Sequence, residues 1–296
     1  MDLRMRRVIV LLNSGSGSAT APGQVGRTLQ SAGLDADVRA VAPSDLKQAA
    51  RSAASERPDA VVASGGDGTI SAVAGALAGS PIPLGVLPAG TLNHFARDLG
   101  LPAEFSAAAH VIAAGRMRSI DLGSVNGSHF VNNSSIGLYP LLVRYRDRQR
   151  RWRGLDKWAA MLSAVLWALR RFPLVHVTLE ASGNTVRCKT PLVFVGNNQY
   201  AIDLLNLGRR TALDRGELCV YLVNASTRLR FLRLAVRIIL GRLKQDRDFI
   251  TMCVTRLRIE AKREKLHVAC DGEVTEMQPP LIYESRPGAL KVIVPW

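Results

Sequence analysis

The sequence contains few of the residues that ligate metals or crosslink small folds. Only four cysteines and five histidines occur in 296 residues, and no two cysteines form a C-x-x-C pair. This spacing gives little support to a structural zinc site or a disulfide framework. We therefore expect Cys188, Cys219, Cys253 and Cys270 to be reduced, mostly buried thiols of an intracellular protein.

The sequence also lacks a long apolar run. The longest candidate, residues 158–169, is flanked by Lys157, Arg170 and Arg171, and it falls short of the roughly 20 residues that span a bilayer. The N-terminal apolar stretch is too short for the core of a secretory signal. We expect a cytoplasmic protein that is soluble or peripherally associated with the inner face of the membrane.

Acidic and aromatic residues are both scarce. The chain has 39 basic and 24 acidic residues, a net charge of +15, and aromatic residues make up only 5%. The excess of positive charge predicts an anionic partner such as a nucleotide, a nucleic acid or an acidic membrane surface. Because aromatic residues do not alternate with the basic clusters as stacking platforms would, we expect no nucleic-acid partner.

The first part of the chain, residues 1–123, alternates apolar strand-like runs with helical patterns. We predict strands at residues 8–12, 37–41, 60–64 and 83–87, and helices at residues 25–32, 45–55 and 69–77, with Ser44 as the N-cap of the second helix. Such alternation predicts a doubly wound α/β domain with a parallel sheet, which binds ligands beyond the carboxyl ends of its strands.

The second part, residues 124–296, consists mainly of short β-like runs separated by turn residues. We predict strands at residues 129–132, 174–179, 192–195, 218–223, 256–261, 265–270 and 290–294. This pattern indicates a β-rich, sandwich-like domain. Two helical inserts interrupt it near residues 152–171 and 228–244. The second insert is basic and amphipathic, so it either covers a sheet or contacts anionic lipid head groups.

The most informative stretch is GGDGT at residues 65–69, between a buried strand and a helix. Glycines in such a turn allow a phosphate to approach the N–H groups at the positive end of the helix dipole. Asp67 would repel that phosphate unless a divalent cation or hydrogen bonds lie between them. A lone Gly-Asp-Gly is more often a tight turn, but the small-residue loops at residues 13–18 and 88–93 also follow predicted strands.

Three motifs resemble the diacylglycerol kinase catalytic-domain family, and most closely its soluble bacterial lipid kinases. They are GGDGT at residues 65–69, PAGTLNHFA at 88–96 and DGE at 271–273. Residues 13–17, 121–123, 133–137 and 196–198 also occur in family order, so the resemblance covers nearly the whole chain. Sphingosine kinases are distant relatives, and the first motif is shared with NAD kinases and phosphofructokinases.

The resemblance implies an ATP- and Mg²⁺-dependent lipid kinase of phospholipid metabolism, with its active site in the cleft between the domains. It implies that Glu273 is the general base, that Asp271 lies beside it, and that Asp67 holds the ATP phosphates and Mg²⁺. Asp121 is expected to join the Asp67 network, and Asp214 to bind a second cation. The expected nucleotide-binding residues are Asn13, Gly15, Gly65, Gly66, Asp67, Gly68, Thr69, Gly90, Thr91 and Asn93.

Two positions depart from the family pattern. His94 stands where many members carry Asp, so a negative charge near the metal is lost. Arg215 stands where a second Asp is common, and its side chain cannot be a ligand.

Two other functions remain open: an NAD-kinase-like phosphotransferase with a soluble acceptor, and a non-catalytic nucleotide- or lipid-binding protein. The sequence does not specify which lipid is phosphorylated or whether the chain forms a homodimer.

Overall fold

The chain folds into two compact units. The computed structural model describes residues 7–15, 21–90, 93–153, 163, 167, 170, 172–200, 210–223, 227–239 and 249–295. The first unit comprises Met1–Leu122 and Arg286–Trp296, and the second comprises Gly123–Ser285. The sequence placed residues 286–296 in the second domain. The structure groups them with the first, because the last strand of the chain pairs there.

The first unit has the predicted doubly wound α/β architecture. The parallel strand order is β2–β1–β3–β4, and the C-terminal half of β16 (Leu281–Ile293) extends the sheet by pairing Val292 with Leu84. The elements of this unit are β1 (Arg7–Asn13), α1 (Pro22–Ser31), β2 (Asp35–Val41), α2 (Leu46–Ser55), β3 (Ala60–Gly65), α3 (Asp67–Ala76), β4 (Leu84–Pro88), α4 (His94–Asp98), α5 (Phe105–Ala114) and β5 (Met117–Val125), whose last residues belong to the second unit.

Helices cover both faces of this sheet. Val25 and Leu29 of α1 and Ile112 of α5 pack on one face of the strands, whereas α2 and α3 contact each other and the opposite face. The central strands are therefore buried on both sides, which explains their small and β-branched residues. The prediction of Ser44 as an N-cap is wrong: Asp45 occupies that position, and the Ser44 hydroxyl donates to its carboxylate instead.

The chain order reverses between β1 and β3, since β2 lies on one side of this pair and β4 on the other. In open α/β sheets such a switch point is where ligands bind. Asn13 ends β1 and Gly65 ends β3, so both predicted loops leave the sheet at this point.

The second unit is a β-sandwich, as predicted. One sheet has the order β12–β11–β10–β7–β14–β15, and the other is formed by the start of β16 with β13, β8 and β9. The elements are β6 (Ser128–Phe130), β7 (Asn133–Gly137), α6 (Leu138–Arg153), β8 (Val175–Ala181), β9 (Asn184–Thr190), β10 (Leu192–Asn197), β11 (Leu218–Val223), α7 (Arg228–Ile239), β12 (Phe249–Val254), β13 (Arg256–Ala261), β14 (Leu266–Cys270) and β15 (Glu273–Met277).

Some elements of this unit differ from the prediction. The strand predicted at residues 129–132 is interrupted, because the N–H groups of Val131 and Asn132 donate to a carboxylate rather than to a strand. Helix α6 begins at Leu138, and most of the insert predicted at residues 152–171 lies outside the described residues. Within the part of the chain that is described, no helix is both long and apolar enough to cross a membrane.

Two of the four cysteines form a disulfide. The antiparallel register of β11 and β12 places Cys219 directly opposite Cys253, with a Cα–Cα distance of 4.1 Å. The expectation of reduced thiols is therefore wrong for this pair, and the cysteines no longer support an intracellular location. Cys188 and Cys270 are thiols.

We expect this disulfide to stabilise the second unit. The disulfide joins two residues with a sequence separation of 34. A disulfide that closes a loop of this size stabilises the folded state by about 2–4 kcal/mol. The double variant Cys219→Ala/Cys253→Ala should therefore unfold at a lower urea concentration than the parent. Reductant should shift the parent in the same direction and leave the double variant unchanged. Cys188→Ala is the control, and an equal shift in that variant would contradict the prediction.

Candidate active site

The loops after β1 and β3 are joined by a side-chain hydrogen bond. Asn13 Nδ2 donates to Thr69 Oγ1 at 2.8 Å, and Asn13 Oδ1 accepts the Gly15 N–H at 2.9 Å. Thr69 lies in the first turn of α3 and is buried. The β1–α1 loop is thereby held against the N-terminus of α3, and both predicted loops contribute to one site.

Glycine is required where the loop after β3 meets the loop after β4. A Cβ on Gly90 would lie 2.6 Å from the Cα of Gly66, and a Cβ on Gly65 would lie 2.5 Å from Thr69 Oγ1. The Ala89 N–H also donates to the Gly65 carbonyl at 3.0 Å. The two loops therefore approach each other so closely that a side chain at Gly90 would overlap the backbone of Gly66, while a side chain at Gly65 would overlap Thr69 in the first turn of α3.

Asp67 connects the starts of two helices. It is the first residue of α3, is half-buried, and accepts the Phe95 N–H of α4 on Oδ1 at 3.2 Å. Gly68, next to it, is exposed, and a Cβ there would meet nothing within 4 Å. The N-terminus of α3 thus combines helix N–H groups, open space and one carboxylate.

The side chain of Asn93 is hydrogen-bonded to the loop after β4. Asn93 adopts a left-handed conformation, with φ of 47°, and its side-chain amide bonds both the N–H and the carbonyl of Gly90 at 2.9 Å. Asparagine tolerates this conformation better than most residues. The role of Asn93 in the structure is therefore to shape the loop. Thr91 lies outside the described residues.

Asp121 is buried in β5 and accepts the Gly288 N–H of β16 on Oδ1 at 2.9 Å. This bond ties β5 to the C-terminal strand within the first unit. The membership of Asp121 in a metal-binding network with Asp67 stays a prediction.

In the second unit, Asp271 and Gly272 form the two-residue turn between β14 and β15. Their φ values are 47° and 88°, a combination typical of a type I′ hairpin turn. Glu273 follows as the first residue of β15, pairs with Cys270 and is exposed. The predicted base therefore lies next to a tight hairpin turn, with its side chain accessible.

The Asp271 carboxylate is an acceptor for three consecutive N–H groups. Oδ2 accepts from Val131 at 2.7 Å, and Oδ1 accepts from Asn132 at 2.8 Å and Asn133 at 3.0 Å. The Asp271 N–H in turn donates to the Asn133 carbonyl at 2.9 Å. Asp271 thus anchors the hairpin that carries Glu273, and this geometry supports a positioning role.

We expect Asp271→Ala to destabilise the second unit strongly. Each buried donor left without an acceptor costs about 1–3 kcal/mol, and three N–H groups lose theirs. Asp271→Asn should be milder, because it retains one carbonyl oxygen and tolerates positive φ. Urea unfolding measures both variants. The prediction fails if alanine and asparagine are equally harmless.

Sequence analysis did not predict part of the polar network around the Asp271 carboxylate. Arg210 donates to the Val131 carbonyl at 2.7 Å and to Asn132 Oδ1 at 3.1 Å, and the Tyr200 hydroxyl donates to the Asn132 carbonyl at 3.0 Å. No motif marked either residue. Asn197, which donates to the Val131 carbonyl at 2.8 Å, lies in a stretch that the family order had indicated.

Asp214, the predicted ligand of a second cation, is exposed in the loop before β11. The N–H of Arg215 donates to Asn198 Oδ1 at 3.0 Å, so this loop is fixed by its backbone. Within the described ranges, Glu217 lies close to the sulfur atoms of Cys219 and Cys253, but these sulfurs form the disulfide and are not available as thiolate ligands. The cation site at Asp214 stays a prediction.

Two buried tyrosines near these residues are held in the neutral form. Burial raises the pKa of Tyr283, whose hydroxyl shares a hydrogen bond with Ser134 at 3.1 Å. Burial also raises the pKa of Tyr221, whose hydroxyl accepts the Tyr200 N–H at 3.0 Å. Both hydroxyls therefore act as fixed hydrogen-bonding groups of the sandwich.

Comparison with known proteins identifies the class to which this combination of units belongs. Residues 7–125 match the model of the diacylglycerol kinase catalytic domain. Residues 143–294 match the model of the YegS C-terminal NAD kinase beta sandwich-like domain. The second model spans just over half of the chain, so the chain belongs to the family that this C-terminal domain defines. Its first part is similar to the diacylglycerol kinase catalytic domain, and the predicted resemblance is confirmed.

Individual relatives match almost the whole chain. A diacylglycerol kinase of Bacillus subtilis is 28% identical over 290 residues, covering 93% of this chain and 92% of the relative. A diacylglycerol kinase of Mycobacterium tuberculosis is 29% identical over 301 residues, covering 98% and 95%. A solved structure from Bacillus anthracis has a TM-score of 0.75 at 24% identity and covers 98% of both chains. Because the identity is below 25%, this structural similarity supports the fold and carries no argument about function.

Proposed function

We propose that this chain is a lipid kinase, a transferase that moves the γ-phosphoryl group of ATP to the hydroxyl group of a lipid such as diacylglycerol. The observation that carries the proposal is the meeting of three loops at the carboxyl ends of β1, β3 and β4, with Asp67 at the start of α3. Family membership and the names of the relatives support the same reaction class.

The ATP phosphates fit the N-terminus of α3. The helix dipole and the first N–H groups of the helix favour an anion there, and the open space beside Gly68 admits one. Asn13, Gly15, Gly65, Gly66, Thr69, Gly90 and Asn93 shape the surrounding loops. Thr91 remains the predicted nucleotide-binding residue outside the described part of the chain.

Mg²⁺ fits the same loops. The ion prefers oxygen ligands and commonly uses one or two carboxylates together with substrate phosphates. Asp67 offers such a carboxylate beside the proposed phosphate site, and we propose Asp121 as a further ligand. Asp214 would bind a second, separate cation. A bound ion would supply the positive charge that neutralises the phosphates. His94, at the start of α4, does not supply the negative charge that many family members have there.

Glu273 is the proposed general base. A carboxylate within reach of the acceptor hydroxyl takes its proton as the oxygen attacks the γ-phosphorus. Glu273 is exposed, and the Asp271 anchor fixes the backbone of its hairpin. In this proposal Asp271 positions the base and does not itself accept the proton.

The acceptor is presented by a membrane, so we propose that the protein acts in the cytoplasm at the inner face of an anionic membrane, as a monomer or a homodimer. The charge of +15 supports this partner, since each basic residue near an anionic surface contributes about 1 kcal/mol of binding.

A kinase with a soluble acceptor is the second candidate. The specific observation in its favour is the match of residues 143–294 to a domain described as NAD kinase beta sandwich-like. A kinase of this type would phosphorylate NAD in plain buffer and would not need vesicles.

Transfer of labelled γ-phosphate separates the two candidates. The protein is incubated with Mg²⁺ and labelled ATP, once with a mixed bacterial lipid extract and once with NAD. A labelled lipid supports the proposal, and the mobility of the product identifies the acceptor. Labelled NADP without labelled lipid supports the second candidate. ATP binding without either product indicates a non-catalytic nucleotide-binding protein.

A further inference from the structure

Helix α7 (Arg228–Ile239) presents an apolar pair of side chains to solvent. Leu229 is 57% exposed and Leu232 is 49% exposed. Large apolar residues of a well-packed domain are normally covered on a helix. These two lie within one turn of each other, so they form a continuous apolar strip rather than scattered surface leucines.

The opposite face of α7 fixes the helix to the second unit. Leu234 is buried against Val223 of β11, and Phe231 packs against the same cluster. The Phe231 ring also contacts Phe172, with a centroid distance of 5.4 Å. Because this inner face determines how the helix is rotated, Leu229 and Leu232 are held outward and cannot turn into the core.

Arginines flank the exposed strip on both sides. In helical projection Leu229 and Leu232 are about 60° apart, and Arg228 and Arg233 each lie about 40° beyond them. Arg228 and Arg233 are exposed. Arg230 is exposed too, but it lies about 100° from Leu229, towards the inner face of the helix. The described helix, RLRFLRLAVRII, contains four arginines and no acidic residue.

We propose that this outward face of α7, formed by Arg228, Leu229, Leu232 and Arg233, is the surface that docks the protein on an anionic lipid bilayer. Leu229 and Leu232 enter the boundary between head groups and acyl chains, while the arginines bind lipid phosphates. An outward apolar strip bordered by cations fits such an interface. A protein partner would need acidic residues to match these arginines. The inference deepens the proposed function, since a lipid acceptor has to be reached at a membrane.

Flotation with vesicles tests the surface. Phosphatidylcholine vesicles with and without phosphatidylglycerol are mixed with the parent, with Leu229→Ser/Leu232→Ser, and with Arg228→Gln/Arg233→Gln. The serine variant should lose at least about tenfold in partitioning. The glutamine variant should lose about fivefold per charge on anionic vesicles only, and salt should weaken the parent in the same way.

The control variants carry comparable substitutions on strands outside α7. Met117→Ser removes an apolar side chain that is 50% exposed on β5, and Arg187→Gln/Lys189→Gln removes two exposed charges from β9. Both controls should partition like the parent. Unchanged partitioning of the serine variant, or an equal loss in Met117→Ser, would overturn the proposal. So would a change of oligomeric state in the serine variant without a change in vesicle binding, because the strip would then bind a second copy of the chain.

Kinase activity in nonionic detergent micelles separates this inference from the proposed function. The serine variant should phosphorylate a micellar lipid as fast as the parent and be slower only on vesicles. If no protein phosphorylates any lipid, the proposed function fails, while the flotation result still decides whether α7 binds a bilayer.

Discussion

We expect Glu273→Gln to lower the rate of the proposed lipid phosphorylation strongly and to leave folding and ATP binding intact. Glutamine has the same size but cannot take a proton, and loss of a general base lowers turnover by about 10²- to 10⁴-fold. Glu273 is exposed at the start of β15, so its replacement removes no buried contact. The measurement is the rate of labelled lipid formation at saturating ATP, with ATP affinity and thermal unfolding followed in parallel.

Glu276→Gln is the matched control for this prediction. Glu276 lies on the same strand and is exposed, and its carboxylate is close to surface cations such as Lys265 at 4.0 Å. Such a pair contributes little to stability, so we expect near-parental activity. Turnover by Glu273→Gln within a few-fold of the parent would show that another group takes the proton.

Gly90→Ala is expected to have the second large effect, a combined loss of stability and of ATP binding. The added Cβ would lie 2.6 Å from the Cα of Gly66 and 2.7 Å from Asn93 Oδ1. The first neighbour is backbone, so the two loops have to separate. Overpacking of this kind costs about 1–3 kcal/mol, and the separation also distorts the proposed phosphate site.

Thermal unfolding with and without Mg²⁺·ATP measures both effects, because a ligand that binds the folded state raises the midpoint. Gly23→Ala is the control for the added methyl group, since nothing lies within 4 Å of its Cβ. Gly68→Ala also has open space and should fold normally, yet its methyl group occupies the proposed anion site and should weaken ATP binding. Parental stability together with a parental ATP shift in Gly90→Ala would refute the prediction.

Local patterns predicted much of the fold. The strands at residues 218–223 and 256–261 have the predicted bounds, because continuous or alternating apolar residues reflect burial directly. Strand β9 was missed because it is largely polar and exposed. The Cys219–Cys253 pairing could not be predicted, since it depends on strand register and not on spacing.

The candidate site was predictable to a similar degree. The convergence of the loops near Asn13 and Gly65 followed from the rule that ligands bind at the carboxyl ends of parallel strands. The three N–H groups that bind the Asp271 carboxylate could not be foreseen, because they come from residues that are distant in sequence. The hydrogen bond from Arg210 to the Val131 carbonyl could not be predicted for the same reason.

The path of β16 has a consequence for synthesis on the ribosome. The strand begins in the second unit, and its C-terminal half pairs with β4 of the first. The parallel sheet of the first unit therefore gains its last strand only after the whole sandwich has been translated. A premature stop shortly before the C-terminus would leave most of the sandwich encoded but would deprive the unit translated first of the strand that completes its sheet.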